Sequence, residues 1–209
     1  FHVEKHIPVS AGVGGGSANA AAALRLLAAH NRLGNPDTAL RGLAAKIGAD
    51  VPVCLAGDGP AAAFMSGIGD NVVRPEPDGL LGNCHVYAVL ANPGVAMPTG
   101  AVFAALGAAA VTMPPPPGVA PARFEDNAAL FAYLDRTGND LEAPAIELAP
   151  VISDVLAALR ALDSCRLSRM TGSGATCFGL FETKSAALDS AEQLRTRFSE
   201  WWIGVSRLS

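Results

Sequence analysis

The stretch that decides the fold reads Pro8-Val9-Ser10-Ala11-Gly12-Val13-Gly14-Gly15-Gly16-Ser17-Ala18. Four of the five residues from Gly12 to Gly16 are glycines, and an alanine-rich segment with helical periodicity follows them. Glycine lets the backbone take positive φ angles and approach a ligand closely. A helix that begins here adds unpaired N–H groups and the positive end of its dipole. The stretch therefore predicts a strand-to-helix loop that binds phosphate.

The order of the glycines separates this loop from two common phosphate-binding motifs. A Walker A loop needs a Gly-Lys pair, and the sequence contains none. The dinucleotide fingerprint fails as well, because counting from Gly12 puts Ser17 where its last glycine belongs. A tight turn without a ligand is the alternative, but a Gly-x-Gly-Gly-Gly-Ser stretch that opens a helix favours an anion. Ser17 either caps this helix or presents its hydroxyl to Mg²⁺.

Two further segments carry candidate functional residues. The segment Thr171-Gly172-Ser173-Gly174, just before a predicted strand, is either a plain β-turn or a second close approach to phosphate. Taken alone, the turn is favoured, and the segment gains weight by pairing with the first loop. Asp50 follows a predicted helix stop at Gly48. It is either a turn aspartate or a base that accepts the proton of a substrate hydroxyl.

Composition excludes several classes of protein. A length of 209 residues suits one large or two small domains, and the net charge of −4 argues against nucleic-acid binding. No signal peptide and no run of 18 apolar residues is visible, so no membrane association is expected. Four cysteines without a CxxC pair argue against a zinc site and predict reduced thiols in a cytoplasmic protein: Cys54, Cys84, Cys165 and Cys177.

Hydrophobic periodicity and turn residues predict an α+β arrangement. Strands are predicted at 1–8, 51–55, 61–65, 85–91, 175–181 and 201–205. Helices are predicted at about 17–33, 36–47, 126–136, 150–162 and 185–198. The proline run at 113–121 predicts a stiff surface loop or linker between the two halves of the chain.

Taken together, these segments resemble the GHMP kinase superfamily. The resemblance extends in order over nearly the whole chain. It rests on Lys5 to Ala21, Gly48-Ala49-Asp50-Val51-Pro52-Val53, Asn92-Pro93-Gly94-Val95 with Pro98-Thr99, Asn139-Asp140-Leu141-Glu142, and Ser168 to Phe178. The Gly-Ala-Asp-Val-Pro and Asn-Asp-Leu-Glu segments are similar to those of the superfamily members that phosphorylate a cytidine-diphosphate-linked sugar alcohol for isoprenoid precursor synthesis.

The resemblance implies a fold and roles for particular residues. It implies an incomplete N-terminal domain of the ribosomal-S5-domain-2-like type at 1–83 and a ferredoxin-like C-terminal domain at 84–209. It implies transfer of the ATP γ-phosphoryl group to the 2-hydroxyl of the sugar alcohol. Pro8–Ala18 would wrap the ATP phosphates, Ser17 would help to hold Mg²⁺, and Asp50 would be the catalytic base. Thr171–Gly174 would border the phosphate and the substrate.

The sequence departs from the family near its start. The family carries a Pro-Ala-Lys-Leu-Asn-like segment there, with a lysine beside the catalytic aspartate. The lysines of this chain are Lys5, Lys46 and Lys184, and none stands in such a segment. Because the chain opens with Phe1 in a strand-like segment, we expect it to be N-terminally truncated. The alternatives are therefore a nucleotide-binding fragment without turnover and another GHMP small-molecule kinase, of the homoserine or mevalonate type.

Overall fold

The computed structural model describes residues 2–33, 37–55, 63–67, 69, 71–73, 81–108 and 123–208. They form two compact units, one mainly within Gly14–Leu80 and one from His6–Val13, Leu81–Ala110 and Phe124–Ser209. The predicted proline-rich loop, the break between the first two predicted helices and the start of the predicted strand at 61–65 lie outside the described residues.

The first unit contains three helices and a short hairpin. They are α1 (Gly15–His30), α2 (Asp37–Ile47), α3 (Val51–Leu55), β1 (Phe64–Ser66) and β2 (Asn71–Val73), with β1 and β2 antiparallel. Its core consists of small and branched apolar side chains from the three helices: Ala21, Leu24, Ala28, Leu40, Ala44 and Val51. The structure therefore confirms the two long helices that were predicted here.

Two strand predictions in the N-terminal part of the chain are wrong. Residues 51–55 form helix α3, because Pro52 occupies its first turn, where the missing N–H costs no helical hydrogen bond. Residues 2–8 have irregular backbone and are mostly exposed. Alternation of apolar and polar residues is not enough for a strand, which also needs a neighbouring strand to accept and donate its hydrogen bonds.

The second unit contains a four-stranded sheet and five helices among the described residues. In chain order they are β3 (Val86–Asn92), α4 (Thr99–Leu106), α5 (Asn127–Leu134), α6 (Glu142–Leu148), α7 (Val151–Arg160), β4 (Leu167–Met170), β5 (Cys177–Phe181), α8 (Lys184–Arg197) and β6 (Trp202–Leu208). The strand order is β4-β5-β3-β6 and every pair is antiparallel. Helices connect β3 to β4 and β5 to β6, which is the ferredoxin-like arrangement that was expected.

Helices α7 and α8 pack on this sheet through the faces that their periodicity predicts. Buried residues of α7 are Ile152, Val155, Leu156 and Leu159, and those of α8 include Ala187, Ala191 and Leu194. They share one core with Val89, Ala91 and Phe181 of the sheet. The elements α4, α6, β2 and β4 were not predicted, and each has eight residues or fewer.

All four cysteines lie within the described residues and none forms a disulfide; Cys84 and Cys177 are buried. Cys177 is at the start of β5 and is fully buried, and this burial, with a smaller contribution from the Glu142 carboxylate, raises the pKa of its thiol to about 12. Burial also raises the pKa of the Cys165 thiol. Within the described ranges, no helix is long and apolar enough to cross a membrane.

A buried polar pair joins the end of β3 to the residue before β5. The side-chain amide of Asn92 donates to Thr176 Oγ1 at 2.8 Å, and Asn92 Oδ1 accepts from the Gly94 N–H at 2.8 Å. Asn92 and Thr176 are 1% and 0% exposed. Because a buried donor without an acceptor is costly, this pair holds the turn after β3 against the start of β5.

We expect Thr176→Val to lower the free energy of unfolding by about 1 to 3 kcal/mol, because it leaves the Asn92 amide buried without its acceptor. Chemical denaturation measures the change. Thr196→Val is the matched control. It removes a hydroxyl that donates to the Glu192 carbonyl at 3.0 Å, and this hydrogen bond is on the exposed side of α8. Equal, small effects of the two substitutions would contradict the role of the buried pair.

Candidate functional site

The segment His6–Val13, which belongs to the second unit, is held within that unit through two of its carbonyl groups. The indole N–H of Trp202 donates to the His6 carbonyl at 2.9 Å, and the Thr171 hydroxyl donates to the Gly12 carbonyl at 2.9 Å. These anchors lie at the two ends of the segment from His6 to Gly12. The loop therefore takes its position from β6 and from the loop that follows β4.

The two glycine loops of the sequence meet backbone to backbone. Gly12 has a φ angle of +71°, and a Cβ placed there would lie 2.5 Å from the Gly174 carbonyl oxygen. A Cβ at Gly172 would lie 2.9 Å from the Gly12 oxygen. Gly12 is therefore required both for its conformation and for this close approach. The structure brings together two segments that the sequence separates by about 160 residues.

Bare backbone forms the start of α1. Gly14 is its N-cap with a φ angle of +67°, and no side chain caps the helix. The first helical hydrogen bond runs from the Ala18 N–H to the Gly14 carbonyl, at 2.9 Å. Apart from the adjoining residues and the helix's own backbone, no described heavy atom lies within 4 Å of a Cβ placed at Gly14, Gly15 or Gly16. The arrangement leaves room for an anion beside N–H groups at the positive end of a helix.

Ser17 does not cap α1, so that alternative from the sequence is wrong. The helix begins two residues earlier than its first serine, because Gly14 takes the N-cap position. Ser17 is the third residue of the helix and is half-buried. Its role as a Mg²⁺ ligand stays a prediction.

The second glycine loop connects β4 to β5 and is closed by its own backbone. The Thr171 N–H donates to the Thr176 carbonyl at 2.9 Å, and the Gly174 N–H donates to the Thr171 carbonyl at 3.0 Å. Ser173 is 6% exposed, and its hydroxyl lies 2.9 Å from that of Thr99 at the start of α4. The predicted strand at 175–181 begins at Cys177 because the residues before it belong to this loop.

The Asn-Asp-Leu-Glu segment holds the second glycine loop from the side of β4. The Asn139 amide donates to the carbonyls of Met170 and Gly172, at 3.0 Å and 2.8 Å, and Asn139 Oδ1 accepts from the Leu141 N–H at 3.1 Å. Glu142 accepts from the Met170 N–H at 2.9 Å. In the sequence these residues only indicated the family, and their hydrogen bonds to the backbone of the second glycine loop were not predicted. An asparagine in this position indicates a turn, but the sequence does not indicate which carbonyls its side chain binds.

Asp50 belongs to the first unit and precedes α3. It is exposed, and its carbonyl accepts from the Cys54 N–H at 3.4 Å. A Cβ at Gly69 would lie 2.8 Å from the Ala49 carbonyl oxygen, so the hairpin of β1 and β2 packs tightly against the residue before Asp50. The backbone at Asp50 is thus held from both sides while its carboxylate faces solvent, which suits a turn aspartate and a base equally.

Comparisons with known proteins agree with this geometry. Residues 1–58 match the GHMP kinases N terminal domain, and residues 120–200 match the GHMP kinases C terminal domain. A crystal structure of 4-(cytidine 5'-diphospho)-2C-methyl-D-erythritol kinase superposes with a TM-score of 0.68 and 34% identity, covering 99% of this chain and 69% of that one. Homoserine kinase from Cytophaga hutchinsonii superposes with a TM-score of 0.61 at 16% identity, over 98% of this chain and 68% of its own, which shows a shared fold only.

Proteins with similar sequences are named as kinases of the same compound as the first of these structures. The 4-diphosphocytidyl-2-C-methyl-D-erythritol kinase of Methylobacterium radiotolerans is 47% identical over 100% of this chain and 69% of its own length. That of Cereibacter sphaeroides is 46% identical over 99% of this chain and 69% of its own length. The chain therefore belongs to the GHMP kinases and, within them, to the 4-diphosphocytidyl-2-C-methyl-D-erythritol kinase family.

Proposed function

We propose that this chain transfers the γ-phosphoryl group of ATP to the 2-hydroxyl of 4-diphosphocytidyl-2-C-methyl-D-erythritol. The observation that carries the proposal is the contact between the loop at Gly12 and the loop at Thr171–Gly174. Four of the sequence segments that suggested the family converge on that contact. Isoprenoid precursor synthesis and a cytoplasmic location are parts of the same proposal.

Phosphoryl transfer makes modest chemical demands that this backbone meets. The transition state carries its charge on phosphate oxygens, so catalysis is chiefly positioning and charge stabilisation. In the proposed roles, Pro8–Ala18 wraps the ATP phosphates, and the N–H groups at the start of α1 donate to them. The open space at Gly14, Gly15 and Gly16 is what such a cradle requires. Thr171–Gly174 borders the transferred group and the acceptor.

Mg²⁺ is part of the proposal, with Ser17 as its protein ligand. A single hydroxyl fits this ion, because Mg²⁺ bound to a nucleotide takes most of its oxygen ligands from phosphates and water. When bound, the ion offsets negative charge on the β- and γ-phosphates. The position of Ser17 in the first turn of α1, beside the open glycines, supports the assignment.

Asp50 is proposed as the general base. A carboxylate that accepts the proton of the acceptor hydroxyl makes the oxygen a better nucleophile as the bond to phosphorus forms. The exposure of Asp50 allows a substrate to reach it, and the packing of Gly69 against Ala49 steadies the backbone beside it.

The alternative functions have weaker support. The homoserine kinase likeness concerns the fold alone, and the similar sequences carry the name of the cytidylyl kinase. Measurements of ADP release and of MgATP binding distinguish the kinase from a nucleotide-binding fragment without turnover.

We expect the chain to release ADP from MgATP in the presence of 4-diphosphocytidyl-2-C-methyl-D-erythritol and not in the presence of homoserine or mevalonate. A coupled ADP assay with each acceptor measures this, and calorimetry measures MgATP binding in parallel. MgATP binding without ADP release with any acceptor would favour the binding fragment. Turnover with homoserine would contradict the proposed substrate.

Asp50→Asn is expected to lower kcat by about a hundredfold or more, because the amide cannot accept the hydroxyl proton. The affinity for MgATP, measured by calorimetry, is expected to stay close to the parent value. Asp189→Asn, at an exposed position of α8, is the control and should leave both quantities unchanged. A kcat near the parent value for Asp50→Asn would remove Asp50 from its assigned role.

Gly15→Val is expected to abolish measurable MgATP binding, because the branched side chain fills the space proposed for the phosphates. Gly42→Val is the matched control, since Gly42 also lies in a helix, α2, and its added Cβ would have no described heavy atom within 4 Å apart from the adjoining residues and the helix's own backbone. Circular dichroism checks that both variants fold. Equal MgATP affinities for the two would argue against the phosphate-binding loop.

A further inference from the structure

The hydroxyl of Thr171 acts on the peptide unit that joins Gly12 to Val13. It donates to the Gly12 carbonyl at 2.9 Å. In a planar trans peptide the C=O and the following N–H point in opposite directions. With the Gly12 carbonyl directed at Thr171, the Val13 N–H points away from the second glycine loop. Within the described part of the chain, this N–H donates no hydrogen bond.

The Val13 N–H continues the row of N–H groups that opens α1. Gly12 and Gly14, on either side of Val13, have φ angles of +71° and +67°, whereas Val13 does not have a positive φ. Successive N–H groups in backbone that alternates between left-handed and right-handed residues form concave anion sites. With a glycine of positive φ on either side, the Val13 N–H is a candidate donor next in the chain to those of Gly14 to Ser17.

We propose that Thr171 is a positioning residue for the nucleotide phosphates, acting through the Gly12 carbonyl to orient the Val13 N–H. The inference rests on the proposed function and deepens it. Thr171 does not bind the phosphate in this role. It fixes the peptide plane that presents a phosphate donor, and it does so from the opposite end of the sequence.

The surroundings of Thr171 fix its hydroxyl for this purpose. Asn139 binds the carbonyls of Met170 and Gly172, the two neighbours of Thr171 in the chain, and the Thr171 N–H is bonded to the Thr176 carbonyl. A branched β-carbon further restricts the χ1 angle of threonine. Because the donor is held before a ligand arrives, little entropy is lost when the phosphates bind.

The test compares three variants of the whole chain by calorimetric titration with MgATP. Thr171→Val removes the hydroxyl but keeps the branched shape, and we expect its Kd to rise about tenfold, the size of one lost hydrogen bond. Thr171→Ser keeps the hydroxyl and should restore the parent Kd. Thr196→Val removes an exposed hydroxyl-to-carbonyl bond of α8 and should change nothing. For Thr171→Val, the Kd of the cytidylyl substrate should rise less than that of MgATP.

Each outcome decides between the two proposals. If the parent chain does not bind MgATP, the proposed function fails and this inference fails with it. If the parent binds and Thr171→Val binds equally well, the inference alone is overturned. A Thr171→Ser variant as weak as Thr171→Val, or equal losses for MgATP and the cytidylyl substrate, would reduce Thr171 to a structural residue. Should Thr171→Val not fold, Thr171→Ala is judged by the same criteria.

Discussion

The contact between the backbones of Gly12 and the loop after β4 organises the rest of the second unit. At this point two chain segments approach so closely that neither tolerates a Cβ. Such proximity places polar groups of both backbones where water is partly excluded, so they need partners from the protein. The surrounding hydrogen bonds supply these partners, and they come from elements spread over the whole unit: β3, α4, α6 and β6.

Many of these hydrogen bonds involve backbone carbonyl groups as acceptors. Carbonyls of His6, Gly12, Met170 and Gly172 all accept from side chains of the protein. The N–H groups from Val13 into the first turn of α1 precede the first helical bond. Side chains therefore bind these carbonyls, whereas no described side chain accepts from the N–H groups of Val13 to Ser17. For the proposed function, this separation would supply an anion site without a lysine or arginine in the loop.

The long helices could be predicted from the sequence, whereas the short elements and the hydrogen bonds between distant residues could not. Long periodic segments such as α7 and α8 were predictable because burial repeats every three or four residues. Short elements such as α6 and β4 have too few residues for a period to stand out. The strand predicted at 51–55 is a helix, because a proline such as Pro52 also suits the first turn of a helix. The hydrogen bonds of Asn139 and Thr171 join residues 31 and 159 positions apart, and no local pattern reveals such pairs.

The glycines of the loop, which look alike in the sequence, meet two different constraints. Gly12 is held against Gly174, so a side chain there would push apart two parts of the folded protein. Gly14, Gly15 and Gly16 face open space, so a side chain on Gly15 or Gly16 would disturb only what binds there. Gly14 adds a requirement for a positive φ angle. The glycines of this motif therefore serve two purposes. Gly12 allows a close contact within the protein, and Gly14 to Gly16 leave space for the proposed ligand. Val13 lies between these two groups of glycines. In the proposed role, its N–H is oriented by the contact at Gly12 and donates to the ligand.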